Sequence, residues 1–229
     1  MNIAVIPARG GSKRIPRKNI KLFNGRPIIL FSIDACRESG LFDRIIVSSD
    51  DAEIKQLALN YGVEVHHRED SLSDDSTPIV PVIKDVLESL ANIEEISYVC
   101  CIFACAPLIE INDLRRAYNK IENSDEKFVY PVLEFVHPIQ RALALIEDKP
   151  VFRESEFELS RTQDLNVYYH DAGQFYFGKT SAWLQGGKMH TDGVAIKMPS
   201  WRVVDIDTEE DWSRAEFLQS YLLQKKALK

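Results

Sequence analysis

Residues 2–21 read NIAVIPARGGSKRIPRKNIK. Asn2–Pro7 is a short, nearly continuous apolar run, as expected of a strand buried on both faces. From Ala8 to Lys21 the chain turns basic. Arg9, Lys13, Arg14, Arg17, Lys18 and Lys21 lie in that stretch with no acidic residue among them, and Gly10–Gly11 sits near its start. A buried strand that runs straight into a glycine-containing loop is how an open α/β sheet begins, and such sheets bind ligands at the carboxyl ends of their strands. Glycine permits close backbone approach and lets main-chain N–H groups face an anion. Six neighbouring cations repel one another unless an anion sits among them, and a phosphate chain is the natural candidate. A solvated basic loop is the plain alternative. The loop is neither G-x-x-x-x-G-K-[ST] nor G-x-G-x-x-G.

Working outward, the chain keeps an α/β rhythm. Pro27 opens a helical pattern over Ile28–Glu38, with Gly40 beyond it. Arg44–Ser49 (RIIVSS) reads as a second strand, and Asp50 with Glu53 has capping-box spacing before a helix through Tyr61. Val63–His66 is a short third strand, and Pro78–Leu90 a helix. Ser97–Phe103 (SYVCCIF) is the most apolar strand and so belongs at the centre of the sheet. Asn112 is expected to cap a helix to about Glu122, followed by a strand at Phe128–Leu133. Alternating β and α segments predict a doubly wound, mainly parallel sheet. From His137 the rhythm breaks into short runs, Ala142–Ile146 and Val151–Phe152, around EDKP at 147–150. This reads as an inserted lobe over about 137–169 within a single domain of residues 1–229. Strands at Gly173–Phe177, Gly193–Met198 and Arg202–Val204 and a helix from Thr208 complete the pattern.

Composition bounds the function. The chain has 229 residues, 45% of them hydrophobic and 28% charged, enough for a real core. With 28 Lys+Arg against 35 Asp+Glu the net charge is −7, which excludes a general nucleic-acid binder. No apolar run approaches the ~20 residues of a membrane helix, and the N-terminus has no basic leader. A cytoplasmic protein with no membrane attachment is expected. Cys36, Cys100, Cys101 and Cys105 read as reduced core thiols, because adjacent Cys100 and Cys101 point to opposite faces of a strand and no second pair follows to build a zinc site.

Near the C-terminus, Asp205-Ile206-Asp207 follows an apolar run. Residues i and i+2 of a strand share a face, so both carboxylates can converge on one cation, and oxygen ligands suit Mg²⁺. Alternatively, Asp207 caps the last helix with Glu210 completing a capping box, which leaves Asp205 unexplained.

IPARGGSKRIPRKN resembles the N-terminal signature of the CMP-sugar-acid synthetases, the cytidylyltransferases of sialic, legionaminic and pseudaminic acids. FDRIIVSSDD, the stretch around Arg68 and Leu72–Asp75, APLI at Ala106–Ile109 and DIDTEEDW extend the similarity over almost the whole chain. The resemblance implies a Rossmann-like fold of the nucleotide-diphospho-sugar transferase type with a small dimerisation lobe. It implies that the loop wraps the triphosphate of CTP through Arg9, Gly11, Ser12, Lys13, Lys18 and Asn19, with Arg68 as a further nucleotide contact. Ser76 and Thr77 fall near the family's hydroxyl position by the base. Asp205 and Asp207 would hold Mg²⁺ and, with Lys18, form the catalytic group. A homodimer is implied, with the insert covering the partner's sugar site.

Two stretches depart from the sialic acid enzymes. CIFACAP at 101–107 has Phe103 where they carry glutamine, so any role of that glutamine is lost. YYHDAGQFYF at 168–177 has His170-Asp171-Ala172 before Gly173, where they show R-P-N, and resembles the pseudaminic acid branch. His170, Asp171 and Gln174 are therefore candidate sugar contacts, although a turn into a strand or a satisfied His–Asp pair accounts for them equally. Arg161 or Arg141 is the candidate to fork the sugar carboxylate, unless each is only a surface ion pair. The expected reaction is CTP + a nine-carbon keto-sugar acid → CMP-sugar acid + pyrophosphate, with pseudaminic acid preferred and sialic or legionaminic acid the alternatives. A D-x-D glycosyltransferase is the rival enzyme class, which the cation-rich loop argues against. A non-enzymatic nucleotide-binding module is the other.

Overall fold

The computed structural model describes residues 1–227. In chain order its strands and helices are β1 (Asn2–Pro7), β2 (Leu22–Phe23), β3 (Arg26–Pro27), α1 (Ile29–Ser39), β4 (Arg44–Ser49), α2 (Ala52–Asn60), β5 (Glu64–His67), α3 (Ile79–Glu88) and β6 (Tyr98–Ile102). There follow α4 (Ile111–Glu122), β7 (Phe128–Glu134), β8 (Leu143–Ile146), β9 (Lys149–Phe152), β10 (Tyr169–Asp171), β11 (Phe175–Lys179), α5 (Thr180–Leu184), β12 (Gly193–Met198) and α6 (Glu209–Ala227). Eight strands form one sheet in the order β10-β7-β11-β6-β1-β4-β5, with β12 paired to β7. The β6-β1-β4-β5 half is parallel, and so is the β12–β7 pair; β10 and β11 run antiparallel to their neighbours.

SYVCCIF does form a central strand, parallel to β1 and antiparallel to β11. Alternation along the strands divides the core. Ala4, Ile6, Cys100 and Ile102 pack with α1, α2 and α4 on one face. Ile3, Val5, Val99 and Cys101 pack with α3 and α5 on the other. All four cysteines are free, Cys36, Cys100 and Cys101 being buried. Burial raises the Cys36, Cys100 and Cys101 thiols well above their usual range, so they stay protonated.

Several local expectations are corrected. Pro27 ends a hairpin, β2–β3, turned by Asn24 and Gly25 at φ 44° and 87°. Helix α1 therefore starts two residues after it. Asp51, not Asp50, caps α2: its Oδ1 accepts the N–H groups of Glu53 (2.9 Å) and Ile54 (3.0 Å). Helix α4 begins at Ile111, so Asn112 lies inside its first turn. Arg202–Val204 is not a strand, since a 3₁₀ turn covers Ser200–Arg202 and the chain leaves the sheet after β12. The irregular segment from 137 holds the β8–β9 hairpin, which forms its own two-stranded sheet. Among the described residues no helix is long and apolar enough to cross a membrane.

Candidate active site

A third apolar cluster fixes the site. Ile15 of the basic loop is packed with Phe23, Ile28, Leu108, Val204, Ile206, Trp212 and Ala215. The loop and the acidic segment near the C-terminus are thus held by one small core although about 190 residues separate them. Between them, at the carboxyl ends of the strands, lies a crevice of about 310 Å³. Arg9, Ser12, Lys13, Arg14, Lys18 and Asn19 line it, with Arg68 and Thr77 on the β5 side and Phe103, Gly173 and Asp205 on the β6–β11 side.

The six cations divide into two groups. Arg17 and Lys21 do not line the crevice. Arg17 pairs with Asp51 and Glu53, tying the loop to the start of α2. Lys21 meets Glu209 at 2.7 Å and lies 4.6 Å from the Trp212 ring. Arg9, Lys13, Arg14 and Lys18 do line it, and two carboxylates offset part of their charge. Arg9 and Lys13 share Asp75, Arg14 bonds Asp207 at 2.8 Å, and Lys18 stands 3.6 Å from Asp207. Lys18 Nζ also donates to the carbonyl of Ile206 (2.7 Å), linking the two ends of the site. A bound polyanion would have to exchange with these carboxylates. The repulsion expected within the loop is therefore relieved only in part, since Asp75 and Asp207 each serve two cations.

The loop backbone is set by short-range bonds. Gly10 N–H donates to Asp50 Oδ1 (3.0 Å), and a Cβ there would lie 2.6 Å from Asp51 Oδ2. Only glycine lets the loop approach α2 so closely. A Cβ at Gly11 would meet nothing within 4 Å, so that side of the loop is open. Asn19 donates to the carbonyl of Arg9 (2.8 Å) and accepts from Cys105 Sγ (3.1 Å), which makes it a brace across the loop. Burial lifts the Cys105 thiol to about 12, so it acts as a neutral donor.

Arg68 is only 4% exposed. Its Nε donates to Ser48 Oγ (3.2 Å) and its Nη2 to the Ser48 carbonyl (2.7 Å). Neither partner is a carboxylate. Burial lowers its pKa, with Asp50 opposing that through space. A guanidinium so placed gains from an electron-rich ligand in the crevice it lines.

Asp205 and Asp207 flank Ile206, which is 1% exposed. The apolar residue between them turns inward without a strand and both carboxylates keep contact with solvent; Asp205 lines the crevice and Asp207 does not. Helix α6 does not use Asp207 as its cap. Thr208 Oγ1 accepts from Asp211 N–H (3.2 Å), and Asp211 Oδ2 accepts from the N–H groups of Thr208 (3.0 Å) and Asp207 (3.3 Å). Asp205 keeps contact with solvent, yet the crevice walls crowd it. That burial, then Asp207, raises its pKa, and Lys18 opposes the rise. Gly173, at φ 62°, lies directly against it, for a Cβ there would stand 3.4 Å from Asp205 Cγ.

A second crevice, of about 730 Å³, adjoins the first at Asp205. Phe135, His137, His170, Asp171, Trp201, Arg214 and Phe217 are among its lining, which is largely apolar. His170 faces it, ring against Phe135 at 4.8 Å. Asp171 also lines it, but both its oxygens are engaged: Oδ1 by Gly173 N–H (2.6 Å), Oδ2 by Tyr176 OH and His190 Nε2 (2.7 Å). Asp171 therefore braces the turn under Asp205. Gln174 is buried and lines neither crevice; its main-chain carbonyl takes the N–H of Phe103 (2.9 Å). Arg161 and Arg141 are exposed and line neither crevice. Residue-by-residue reading missed His190, Arg214 and the second role of Cys105, and no pattern in the sequence marks them.

Known proteins resemble this chain in sequence and in fold. The family model described as cytidylyltransferase matches residues 3–215. A pseudaminic acid cytidylyltransferase of Campylobacter jejuni is 44% identical over 224 residues, 95% of each chain. An N-acylneuraminate cytidylyltransferase B of Danio rerio is 32% identical over 216 residues, 93% of this chain and 50% of its own. The structure of a CMP:2-keto-3-deoxy-manno-octonic acid synthetase complexed with CTP superposes with a TM-score of 0.70 at 15% identity, covering 96% of this chain and 98% of its own. At that identity the likeness is one of fold.

Proposed function

The chain belongs to the cytidylyltransferase family, and from that premise we propose that it joins CMP from CTP to pseudaminic acid, releasing pyrophosphate. The observation that carries the proposal is the meeting of two crevices at Asp205, one lined by Arg9, Lys13, Arg14, Lys18 and Arg68, the other largely apolar. The first suits a nucleoside triphosphate, with its phosphates along the basic loop and its nucleoside toward Arg68 and Thr77. The second suits a sugar acid whose deoxy and acyl groups seek apolar wall. Trp201, Phe217 and Phe135 supply that wall, and Arg214 lines it as a cation for the carboxylate. The 44% identity to an enzyme named for pseudaminic acid supports this sugar over sialic acid.

In this reading the anomeric oxygen attacks the α-phosphorus, the bond to the bridging oxygen of pyrophosphate breaks, and the hydroxyl proton passes to solvent water. Catalysis is mainly placement and charge stabilisation. Arg9, Lys13 and Lys18 exchange their carboxylate partners for phosphate oxygens and balance charge on the departing pyrophosphate. Lys18, bonded to the Ile206 carbonyl, keeps the loop in register with Asp205 and Asp207.

The donor set at Asp205 and Asp207 fits Mg²⁺. Both are hard oxygen ligands, and Asp205, raised first by burial and then by the neighbouring Asp207 charge, would gain from a cation. Among the described residues no group of three or more His, Cys, Asp and Glu side chains could hold a metal. The chain would therefore supply two ligands and the nucleotide and water the others. When bound, the ion would neutralise charge on the phosphate oxygens.

We place the β8–β9 lobe at a homodimer interface. Leu145 (70% exposed), Ile146 (61%) and Leu159 (95%) have no place in the core of one chain. Arg161 belongs to the same lobe and would reach a partner's sugar crevice rather than its own. Pyrophosphate release from CTP, measured with pseudaminic, legionaminic and sialic acids side by side, tests the function. Highest kcat/KM with sialic acid would overturn the substrate, and no release with any sugar acid the reaction. Light scattering at micromolar concentration should give a dimer; a monomer would overturn the assembly.

A further inference from the structure

Behind the nucleotide end of the crevice lies a polar chain, buried at Ser48 and Arg68 and half-buried at His66 and Asp85, that the reaction above does not use. Strands β4 and β5 pair in parallel with Ser48 opposite His66. The Ser48 hydroxyl is within 3.3 Å of His66 Nδ1, and His66 Nε2 lies 3.5 Å from Asp85 Oδ2 on α3. On its other side Ser48 Oγ takes the Nε–H of Arg68 at 3.2 Å. Ser48 is fully buried, and Asp85 Oδ2 is a buried oxygen with no hydrogen-bond partner, so His66 Nε2 at 3.5 Å is the polar group that faces it.

Hydrogen-bond accounting fixes the direction at Arg68 and selects one arrangement for the rest. Arg68 can only donate, so Ser48 Oγ accepts from it. Ser48 Oγ still has a second lone pair, but His66 Nδ1 is the acceptor beside its single hydroxyl hydrogen, so the arrangement that satisfies that hydrogen leaves Nδ1 unprotonated. The ring proton sits on Nε2 and faces Asp85. One consistent pattern runs from Asp85 through His66 and Ser48 to Arg68, and burial, which outweighs Asp85, favours the neutral His66 that it requires. The order Asp–His–Ser resembles a hydrolytic triad, but a serine that is fully buried and already accepts from an arginine has no nucleophilic role.

We propose that Asp85 and His66 are positioning residues for nucleotide binding: through Ser48 they lock the Arg68 guanidinium in the orientation that faces CTP. Two N–H groups of the fork are spent on Ser48, one on its hydroxyl and one on its carbonyl. This leaves the remaining N–H groups for the crevice Arg68 lines. Removing the hydroxyl's acceptor frees Ser48 to rotate and Arg68 to swing. The inference rests on the nucleotide reading above only in taking CTP as the ligand of this crevice.

The test is CTP binding by titration calorimetry, which does not depend on the sugar. His66→Phe keeps the ring and loses both nitrogens. His66→Asn places an acceptor near the former Nδ1. Arg68→Lys breaks the fork. His66→Phe should weaken CTP binding about 10-fold, the scale of a buried donor left without its acceptor, and His66→Asn should recover most of that loss. In the double variant His66→Phe/Arg68→Lys, affinity should fall no further than in Arg68→Lys alone, because one residue acts through the other. Additive losses, unchanged affinity in His66→Phe, or a wild-type protein that binds no CTP would each overturn the inference. A protein that binds CTP with this coupling but turns over no sugar acid would sink the substrate reading and leave the relay standing.

Discussion

Thr208→Ala and Asp207→Asn, adjacent in sequence, should separate stability from turnover. Thr208 Oγ1 accepts from Asp211 N–H, and Asp211 answers by accepting from Thr208 N–H and Asp207 N–H. That is a reciprocal cap on α6 that leaves the Asp207 side chain out. Losing an N-cap hydroxyl costs about 1 kcal/mol, which in a chain of this length lowers Tm by about 2–4 °C. Asp207 instead pairs with Arg14, whose side chain is 68% exposed, and with Lys18. Exposed pairs contribute about 0–1 kcal/mol, so Asp207→Asn should shift Tm less than Thr208→Ala does. Turnover should move the opposite way. Residues that merely support metal ligands already cost about 10–100-fold when mutated, so removing one of two carboxylate ligands should cost at least about 100-fold. Thr208→Ala should stay within about threefold of wild type, the size of a small shift in local order. The assays are pyrophosphate release across a magnesium titration and thermal unfolding by calorimetry. If Asp207→Asn lowers Tm as much as Thr208→Ala and its magnesium dependence is unchanged, the carboxylate is structural and the ligand assignment fails.

Gly173→Ala should lose turnover about 10-fold, because its φ of 62° costs an L-residue about 1–2 kcal/mol and the turn that backs Asp205 must shift to relieve it; wild-type kinetics would show that Asp205 tolerates displacement. Lys18→Ala should raise the KM for CTP about 10-fold or more, since both a phosphate cation and the bond to the Ile206 carbonyl are lost; an unchanged KM would return Lys18 to a purely structural role. Asp51→Ala should destabilise the fold by about 1–2 kcal/mol at pH 7 through loss of the α2 cap. The Asp51 carboxyl is held below its usual range, first by Arg17. Its contribution is therefore present above the unfolded pKa of about 3.9 and lost as pH falls through the lower folded value. Urea unfolding should show the gap between wild type and Asp51→Ala narrowing below about pH 4, and a gap constant with pH would refute the pairing.

The strands were legible because burial on both faces writes itself as an unbroken apolar run, as in NIAVIP and SYVCCIF. What the sequence could not reveal was decided at long range. Asp50 and Asp51 are equally good caps on local grounds. The choice falls to Asp51 because Gly10, 40 residues upstream, occupies Asp50 Oδ1. The six loop cations look alike in the sequence, yet Arg17 belongs to α2 and Lys21 to α6, and only contacts with Asp51, Glu53 and Glu209 show it. Alternation at 203–207 mimics a strand because Val203, Val204 and Ile206 are buried, though no strand partners them. The engagement of Asp171 by Tyr176 and His190 is invisible in the sequence because it depends on how the chain returns 19 residues later.

The position of Asp205 ties these threads to the proposed reaction. Among the described residues it alone lines both crevices. A group transfer between a nucleotide and a sugar acid needs the reacting atoms where their two sites meet, and it needs charge there that does not move during the reaction. Three separate devices hold that point. Ile206 anchors the acidic segment in the same small core as Ile15 of the loop. Lys18 bonds the Ile206 carbonyl from the loop side. Asp171, gripped by Tyr176 and His190, fixes the N–H of Gly173, whose bare Cα leaves room for the carboxylate. Each comes from a different part of the chain, so a shift in any one is resisted by the other two. The resulting rigidity is placed where two substrates must be aligned, while the exposed cations Lys13 and Arg14 remain free to exchange Asp75 and Asp207 for phosphate.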